Sequence, residues 1–280
     1  MSPALTIALI SDLHFGPETR WNGKLRKLTH HAGELARAFV ARMNDEVKPD
    51  LVVNLGDDIE DESLELDRAR YAECQSILRS AAAELVNVAG NHDDVNLPHA
   101  ELLTHWRRDG ELYTSVDRQG FHFVVLHTRE RKDHDVSIGA EQLAWLEADL
   151  AVHAGPTVVL MHHPASEQVL VGNRWFEGRA HVCLVRERRA IRRLFAQHGR
   201  VLAVFNGHVH WNHVDVIDGL PFVTVQSLVE NLDDDAPGRP AAAHAVVRLT
   251  ERRVIVEVEG AERARYQFDR RANEEPVSAR

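Results

Sequence analysis

Residues 84–93, Glu84-Leu-Val-Asn-Val-Ala-Gly-Asn-His-Asp93, join a short apolar run to a polar turn. The apolar part has the pattern of a buried strand, and Gly90 opens a turn that presents an amide, an imidazole and a carboxylate together. Glycine, asparagine and aspartate are ordinary turn residues, whereas His92 adds chemistry rather than shape. The stretch therefore predicts a strand that ends in functional side chains.

Four further apolar runs end in the same way, at residues 5–10, 51–55, 156–161 and 200–205. Helical patterns at 24–47, 67–83, 137–153 and 184–197 separate the runs, so the sequence predicts a mostly parallel sheet. Side chains that can bind metals follow the five strands directly: Asp12 and His14, Asp57, Asn91 and His92, His162 and His163, and His208 and His210. The carboxyl ends of parallel strands lie along one edge, where α/β proteins bind ligands.

A metal centre is the physical reason to gather these side chains. A single Asp-x-His or His-x-His pair is more often a surface accident, but five strand ends together bring no stability unless a cation offsets the desolvation of the polar groups. Imidazole, carboxylate and amide ligands without sulfur suit Mn, Fe, Zn or Co. The ligands outnumber the needs of one tetrahedral zinc, so we expect two divalent ions about 3.5–4 Å apart that share a bridging carboxylate.

The composition excludes several other classes of protein. The 280 residues carry a net charge of −10 and only two cysteines, which argues against a duplex nucleic-acid partner, a disulfide framework and a thiolate zinc site. The first apolar run is too short for a signal peptide, and no segment approaches the ~20 apolar residues of a membrane span. We therefore expect a cytoplasmic protein without a membrane partner, and whether it forms a homo-oligomer stays open.

The remaining strand patterns lack intervening helices. Residues 112–116 and 121–127 predict a hairpin, and residues 213–217, 221–226, 244–249 and 254–258 predict a meander in a second sheet. No composition shift marks a domain boundary. The sequence therefore predicts a single domain over residues 1–268, followed by a flexible charged tail over residues 269–280.

The ordered motifs Asp12-x-His14, Gly56-Asp57, Gly90-Asn91-His92-Asp93, His162 and Gly207-His208-x-His210 resemble the signature of the calcineurin-like metallophosphoesterases over residues 4–226. The resemblance implies an α/β fold, a four-layer α-β-β-α sandwich with two central mixed sheets. It also assigns the ligands: Asp12, His14 and His210 to one metal, Asn91, His162 and His208 to the other, and Asp57 as the bridge.

The same resemblance implies a role for the residues between the ligands. His92 is expected to act as a catalytic acid that contacts the phosphoryl group or the leaving oxygen, without binding metal. His163 is expected to be structural, and Asp58 and Asp93 to be turn or supporting residues. Where many members of the family have aspartate three residues after the bridging aspartate, this chain has Glu60.

The implied function is metal-dependent hydrolysis of a phosphoric ester, with a hydroxide made available at the metals attacking phosphorus in line with the leaving group. Class III cyclic-nucleotide phosphodiesterases and glycerophosphodiesterases share the Gly-Asn-His-Asp/Glu and His-His-Pro patterns, so a small phosphodiester of either type is the first choice. Residues 139–146 also resemble the ADP-ribose/CDP-alcohol diphosphatases, and a phosphomonoesterase stays open. A scaffold without activity is disfavoured because every expected ligand type is present.

The loop at residues 165–180 is the predicted substrate-reading element. It begins directly after the third histidine-bearing strand end and is long for a strand-to-helix connection. Asn173, Arg174, Trp175 and Phe176 supply a donor, a cation and two flat apolar faces that would suit a nucleotide or a similar ester, and the first three are the predicted substrate-binding residues. Trp175 or Trp211 is the candidate to stack on a base.

Overall fold

The computed structural model describes residues 4–132 and 134–269, in which strands and helices alternate. The strands are β1 (Ala4–Ile10), β2 (Arg20–Trp21), β3 (Lys24–Leu25), β4 (Leu51–Asn54), β5 (Glu84–Asn87), β6 (Thr114–Arg118), β7 (Phe121–Leu126), β8 (Arg129–Arg131), β9 (Asp135–Ser137), β10 (Thr157–Met161), β11 (Val201–Asn206), β12 (His213–Ile217), β13 (Leu220–Thr224), β14 (His244–Thr250), β15 (Arg253–Glu259) and β16 (Ala264–Asp269). The α-helices are α1 (Ala32–Arg42), α2 (Leu64–Leu78), α3 (His99–Trp106), α4 (Gly139–Val152) and α5 (Arg188–His198).

Two six-stranded mixed sheets form the centre of the fold. Their orders are β16-β15-β14-β1-β4-β5 and β12-β13-β11-β10-β7-β6. In the first sheet β1, β4 and β5 are parallel, with Ile10 beside Asn54 and Asn54 beside Asn87. In the second sheet β7, β10 and β11 are parallel, with Leu160 beside Phe205. Because the parallel strands are in register, their carboxyl ends lie at the same height in each sheet.

Alternation along the strands divides the apolar core into three layers. Ile7 and Leu9 of β1 lie in the layer between the sheets, together with Phe123 of β7. Ala8 and Ile10 face the other way, into the layer that α1, α2 and α3 cover. A third layer fills the space between the second sheet and the helices α4 and α5. The predicted four-layer α-β-β-α sandwich with two central mixed sheets is therefore confirmed.

The predicted arrangement of strands in one parallel sheet with a separate meander was wrong. The five strands that precede the candidate ligands divide between the sheets, three in the first and two in the second. The four late strands divide as well: β12 and β13 extend the second sheet beside β11, whereas β14 and β15 join the first sheet through antiparallel pairing with β1. Periodicity reports which face of a strand is buried but does not report which strand it pairs with.

The helix predicted at residues 24–47 begins later than expected. Residues 24–25 form β3, a single 3-10 turn covers Thr29–His31, and the α-helix itself is Ala32–Arg42. The Leu28 N–H donates to the carbonyl of Val229 at 2.8 Å, so the segment before α1 is held extended by a distant part of the chain. The other predicted helices shift by a few residues, and α3, the β2–β3 and β8–β9 pairs and β16 were not predicted.

The predicted tail, residues 269–280, lies outside the described residues except for Asp269. That residue is the last of β16 and pairs with Arg253 of β15. Within the described ranges, none of the helices combines the length and the apolar character that crossing a membrane requires.

Candidate metal centre

The seven predicted metal ligands come together where the carboxyl edges of the two sheets meet. All are buried or half-buried, and they come from the ends of β1, β4, β5, β10 and β11. Two hydrogen bonds join the edges: the His208 N–H donates to the carboxylate of Asp12 at 3.1 Å, and His162 Nδ1 lies 2.8 Å from the carbonyl of Leu55. The predicted common edge is therefore a junction between two sheets.

Five of these ligands share an uncommon backbone conformation. The left-handed region is populated by Asp12, His14, Asp57, His208 and His210, with φ values from 47° to 67°. Residues other than glycine rarely adopt this region, and such conformations cluster at functional sites because the surrounding structure must impose them. The turns therefore aim these side chains inward at a cost in local backbone energy.

Two glycines allow the turns to pack against one another. A Cβ on Gly90 would overlap the backbone nitrogen and carboxylate of Asp57, and a Cβ on Gly207 would overlap Ser11 and Asp12. Glycine is thus needed at positions 90 and 207, because any side chain there would prevent the turn from packing closely against Asp57 or Asp12.

The first ligand set contains two imidazole rings that face each other. The Nε2 atoms of His14 and His210 are 3.0 Å apart, and the His210 Nε2 is 3.4 Å from Asp12 Oδ1. The Nδ1 atom of His210 lies 2.8 Å from Glu230 Oε2, and that of His14 lies 3.0 Å from Glu60 Oε2. Since each ring has a carboxylate on its far side, both Nε2 atoms point into the cluster, as metal-binding histidines require.

In the second ligand set, His162 is oriented in the same way. His162 Nδ1 contacts the carbonyl of Leu55 at 2.8 Å, so its Nε2 faces Asn91 Oδ1 at 3.2 Å and Asp57 Oδ2 at 3.3 Å. Asp57 Oδ2 also lies 3.8 Å from His14 Nε2, which places this carboxylate between the two sets. The ring of His208 lies 5.1 Å from that of His162 between centroids.

The donor set fits divalent metal ions. His163, predicted to be structural, packs 3.9 Å from His208 between ring centroids, and its Nε2 is buried without a hydrogen-bond partner within the described part of the chain. Clusters of His and Asp atoms close enough to share an ion include Asp12, His14 and His210, and also His162, His163 and His208. Buried imidazoles and carboxylates packed this densely are stable only when a cation or protons compensate their charge.

His92 lies at the edge of the cluster beside a carboxylate that the sequence analysis missed. Its Nδ1 is 2.5 Å from Asp61 Oδ1, and its ring centroid is 5.0 Å from that of His14. Burial by itself lowers the pKa of His92, but the Asp57 and Asp61 carboxylates outweigh it, so the pKa is held above its usual value. His92 can therefore carry a proton that faces the cavity.

Asp93 serves the backbone, in keeping with the supporting role expected for it. Its carboxylate accepts hydrogen bonds from the N–H groups of Asp57, Asp58 and Gly90, at 3.0, 2.8 and 2.8 Å. Burial and the neighbouring carboxylates raise the pKa of Asp93 well above its usual value. This side chain ties the turn after β4 to the turn after β5.

A cavity of about 630 Å³ opens over the cluster. Trp21, Trp175 and Phe176 form an aromatic part of its wall, and Asp57, Asn91, His92, His208 and His210 lie at its inner end. The rings of Trp21 and Trp175 are 5.7 Å apart, and Trp175 lies 5.0 Å from the ring of His210. Cationic side chains also line it: Arg20, Lys27, Arg129, Lys132 and Arg179.

The three residues predicted to read the substrate all line a smaller cavity beside His210, and of the three only Trp175 also lines the larger cavity. The Trp175 Nε1 donates to Glu230 Oε2 at 3.1 Å. Asn173 is buried and donates to the carbonyl of Val209 at 2.9 Å. Arg174 donates to the carbonyl of Asn231 at 2.8 Å, beside the smaller cavity. Trp211, the other stacking candidate, also lines that smaller cavity and bonds to Gln168 at 2.9 Å.

Four residues at the site were missed from the sequence: Trp21, Glu60, Asp61 and Glu230. Asp61 follows the bridging aspartate by four residues, so a search for carboxylates in the same turn would have found it. Glu60 was noted but given no role; it contacts His14 and also forms an ion pair with Lys27. Trp21 and Glu230 have no signal in the local sequence, since only the fold brings Trp21 to the cavity and Glu230 to His210.

Fold and site together define a metallophosphoesterase. The family model of the calcineurin-like phosphoesterases matches residues 5–212, most of the chain. The chain therefore belongs to the calcineurin-like phosphoesterase family, and the predicted resemblance and the predicted class of hydrolase are confirmed.

Relatives of known name support the same class. The chain is 30% identical over 230 residues to a cAMP/cGMP dual specificity phosphodiesterase of Mycobacterium tuberculosis, an alignment that covers 78% of this chain and 66% of that protein. It is 27% identical over 208 residues to a probable cyclic nucleotide phosphodiesterase of Synechococcus, covering 74% of this chain and 73% of that one.

Solved structures share the fold at low identity. A dimetal phosphatase from Danio rerio has a TM-score of 0.75 and 18% identity, with 95% of this chain and 99% of that chain covered. GAP50, the anchor in the inner membrane complex of Plasmodium, has a TM-score of 0.63 and 11% identity, with 97% of this chain and 90% of that chain covered. Since one neighbour is a phosphatase and the other an anchor, the fold by itself does not decide function.

Proposed function

We propose that this chain hydrolyses a small phosphodiester, with a cyclic nucleotide as the first candidate, at a centre that holds two divalent ions. The observation that carries the proposal is the position of Asp57 Oδ2, 3.8 Å from His14 Nε2 and 3.3 Å from His162 Nε2. One carboxylate between two ligand sets is the arrangement that a bridged pair of ions needs. Asp12, His14 and His210 would hold one ion, and Asn91, His162 and His208 the other.

The bound ions would supply charge stabilisation for the phosphoryl oxygens and a water of lowered pKa. Residues of the chain would supply the acid catalyst and would orient the metal ligands. We expect His92, whose Nδ1 lies 2.5 Å from Asp61 Oδ1, to donate its proton to the leaving oxygen. Glu230 lies 2.8 Å from His210 Nδ1 and orients that ring, and the Glu60 carboxylate lies 3.0 Å from His14 Nδ1. Tight packing of the turns around Gly90 and Gly207 keeps these groups in place before substrate binds.

Two features of the cavity support a nucleotide as substrate. Trp21 and Trp175 offer flat faces beside His210, where a purine could stack. Arg129, Lys132 and Arg179 are cationic groups in the cavity wall that could contact the phosphate of a nucleotide. The M. tuberculosis relative carries the name of a phosphodiesterase for cAMP and cGMP, which agrees with this choice. Of the predicted substrate-reading residues, Trp175 has the strongest support.

A hydrolysis screen tests the proposal. The purified chain with added Mn²⁺ is assayed on cAMP, cGMP, a glycerophosphodiester, ADP-ribose and a phosphomonoester, with Asp57→Ala as the control that lacks the bridging ligand. The highest kcat/KM is expected on a cyclic nucleotide. A higher value on ADP-ribose would replace the proposal with diphosphate hydrolysis. Absence of hydrolysis by metal-loaded protein on every ester would overturn the enzymatic proposal.

A further inference from the structure

A second group of potential metal ligands lies outside the seven-ligand centre. Asp94, His99 and His127 offer ligand atoms that all lie within 4.8 Å of one another. Asp94 belongs to the turn after β5, His99 is the first residue of α3, and His127 follows β7. Three separate elements, from both sheets, thus bring a carboxylate and two imidazoles to one point.

The distances within this group are at the long end of the range for His–carboxylate hydrogen bonds in this chain, where His213 Nε2 also lies 3.2 Å from Asp215 Oδ1. The same oxygen, Asp94 Oδ2, lies 3.3 Å from His127 Nε2 and 3.4 Å from His99 Nε2. Elsewhere in the chain, His122 contacts two carboxylates at 2.7 and 2.8 Å, and His210 contacts Glu230 at 2.8 Å.

The spacing also equals that of atoms in the candidate metal centre. Within the candidate metal centre, His162 Nε2 lies 3.3 Å from Asp57 Oδ2, and His210 Nε2 lies 3.4 Å from Asp12 Oδ1. Two ligands bonded to zinc at about 2.1 Å with tetrahedral angles are separated by about 3.4 Å. The pairs around Asp94 therefore have the ligand-to-ligand spacing that a bound ion produces.

The group is held in position and opens to the substrate cavity. The main chain of His127 is fixed by the Gln142 side chain, which accepts from its N–H at 2.9 Å and donates to its carbonyl at 2.7 Å. The side chains of His127 and Asp94 are 10% and 15% exposed, and that of His99 is 47% exposed. Asp94 and His99 line the same cavity as His92.

We propose that Asp94, His99 and His127 bind a third divalent cation at the rim of the cavity. One carboxylate and two imidazoles without sulfur suit a borderline ion such as Zn²⁺ or Co²⁺. Three protein ligands leave at least one coordination position for water or for an anionic group of a bound ligand. With one carboxylate opposite a divalent charge, the site carries a net charge of +1, which adds to the attraction of anions into the cavity.

Metal stoichiometry tests this proposal without reference to activity. The full chain and its variants are titrated with Zn²⁺ against a chromophoric chelator, and bound zinc is confirmed by elemental analysis after dialysis. The test variants are Asp94→Asn and His99→Ala. His30→Ala is the matched control, since His30 is also 47% exposed and lies 2.8 Å from a carboxylate, that of Glu18. Circular dichroism verifies that each variant is folded.

Wild-type protein and the His30→Ala variant are expected to bind one zinc equivalent more than either test variant. Equal stoichiometry in wild type, Asp94→Asn and His99→Ala would overturn the proposal. The difference in zinc stoichiometry between wild type and a test variant reports only the ion bound by Asp94, His99 and His127. The result therefore does not depend on how many ions the seven-ligand centre holds. Failure of the proposed hydrolysis would appear in the ester screen and would leave this difference unchanged.

Discussion

Replacing Asp61 with asparagine tests how the proton of His92 is held. Asp61 Oδ1 lies 2.5 Å from His92 Nδ1, and the two side chains are 30% and 26% exposed. A hydrogen bond to a charged group contributes about 1.5–3 kcal/mol, which corresponds to about 10- to 160-fold in rate. Partial exposure screens the interaction and favours the lower part of that range. We therefore expect Asp61→Asn to lower kcat about 10- to 50-fold.

The pH profile should change in a defined direction. An acid catalyst must be protonated, so the rate falls as pH rises through the pKa of His92. Burial lowers this pKa, and the Asp57 and Asp61 carboxylates raise it above the usual value. Removing the charge of Asp61 lowers the pKa of His92, so the alkaline limb of the profile should move to lower pH. The assay measures kcat from pH 5 to 10 on an ester with an unactivated leaving group, because a nitrophenyl group needs little protonation.

A double-mutant comparison decides whether Asp61 acts through His92. His92→Ala should lose on the order of 10²–10⁴ in rate while keeping its metals. In that background Asp61→Asn should cost little more, because its partner is gone. The control is Glu62→Gln, which removes a charge from the same turn but from a carboxylate paired with Arg70 at 2.7 Å. An equal loss from Asp61→Asn with and without His92, or an unmoved alkaline limb, would refute the reasoning.

Three further predictions concern the metals, the aromatic wall and a distant ion pair. Asp57→Ala should remove more bound divalent metal than Asn91→Ala, because Asp57 lies between both ligand sets; equal losses in elemental analysis would contradict a bridging role. Trp175→Ala should raise KM about tenfold for a nucleotide but leave a small dialkyl phosphate unaffected, since stacking contributes about 1–3 kcal/mol per base; equal changes on both substrates would indicate a structural role instead. Burial lowers the pKa of His122, but its hydrogen bonds to carboxylates, that of Asp149 at 2.8 Å first, raise the pKa above the usual value. The hydrogen bonds of protonated His122 therefore stabilise the fold fully below about pH 6.5, and this stabilisation is lost as pH rises through the pKa of His122 in the folded state. His122→Gln should consequently lower the Tm more at pH 6 than at pH 9 in thermal melts. A Tm difference independent of pH would rule this out.

The candidate metal ligands could be selected from the sequence because their signal is local. Each apolar strand pattern ends within a few residues of its ligand, as with residues 84–87 before Asn91, and a strand's direction then fixes where the ligand lies. The glycines before Asp57, Asn91 and His208 belong to the same local signal, since close approach of the turns excludes a Cβ at Gly90 and Gly207.

The partners of those ligands were decided by the tertiary structure. Glu230 reaches His210 from 20 residues away, and Trp21 reaches Trp175 across 154 residues. A carboxylate or a tryptophan in a loop has no local pattern that indicates its partner, because the contact depends on how distant segments pack. For the same reason Arg174 matched the expected chemistry of a substrate-reading residue, although its guanidinium bonds to the carbonyl of Asn231.

The division of the strands between two sheets has the same physical origin. Hydrophobic periodicity in β14 and β15 predicts burial of alternate residues, which either sheet would satisfy. Pairing with β1 was settled by long-range register, with Ile7 beside Val247 and Leu9 beside Ala245, in a core that both sheets fill. The sequence alone thus determined which side chains could form the centre, and the packing of the two sheets face to face determined which of them meet and what orients them.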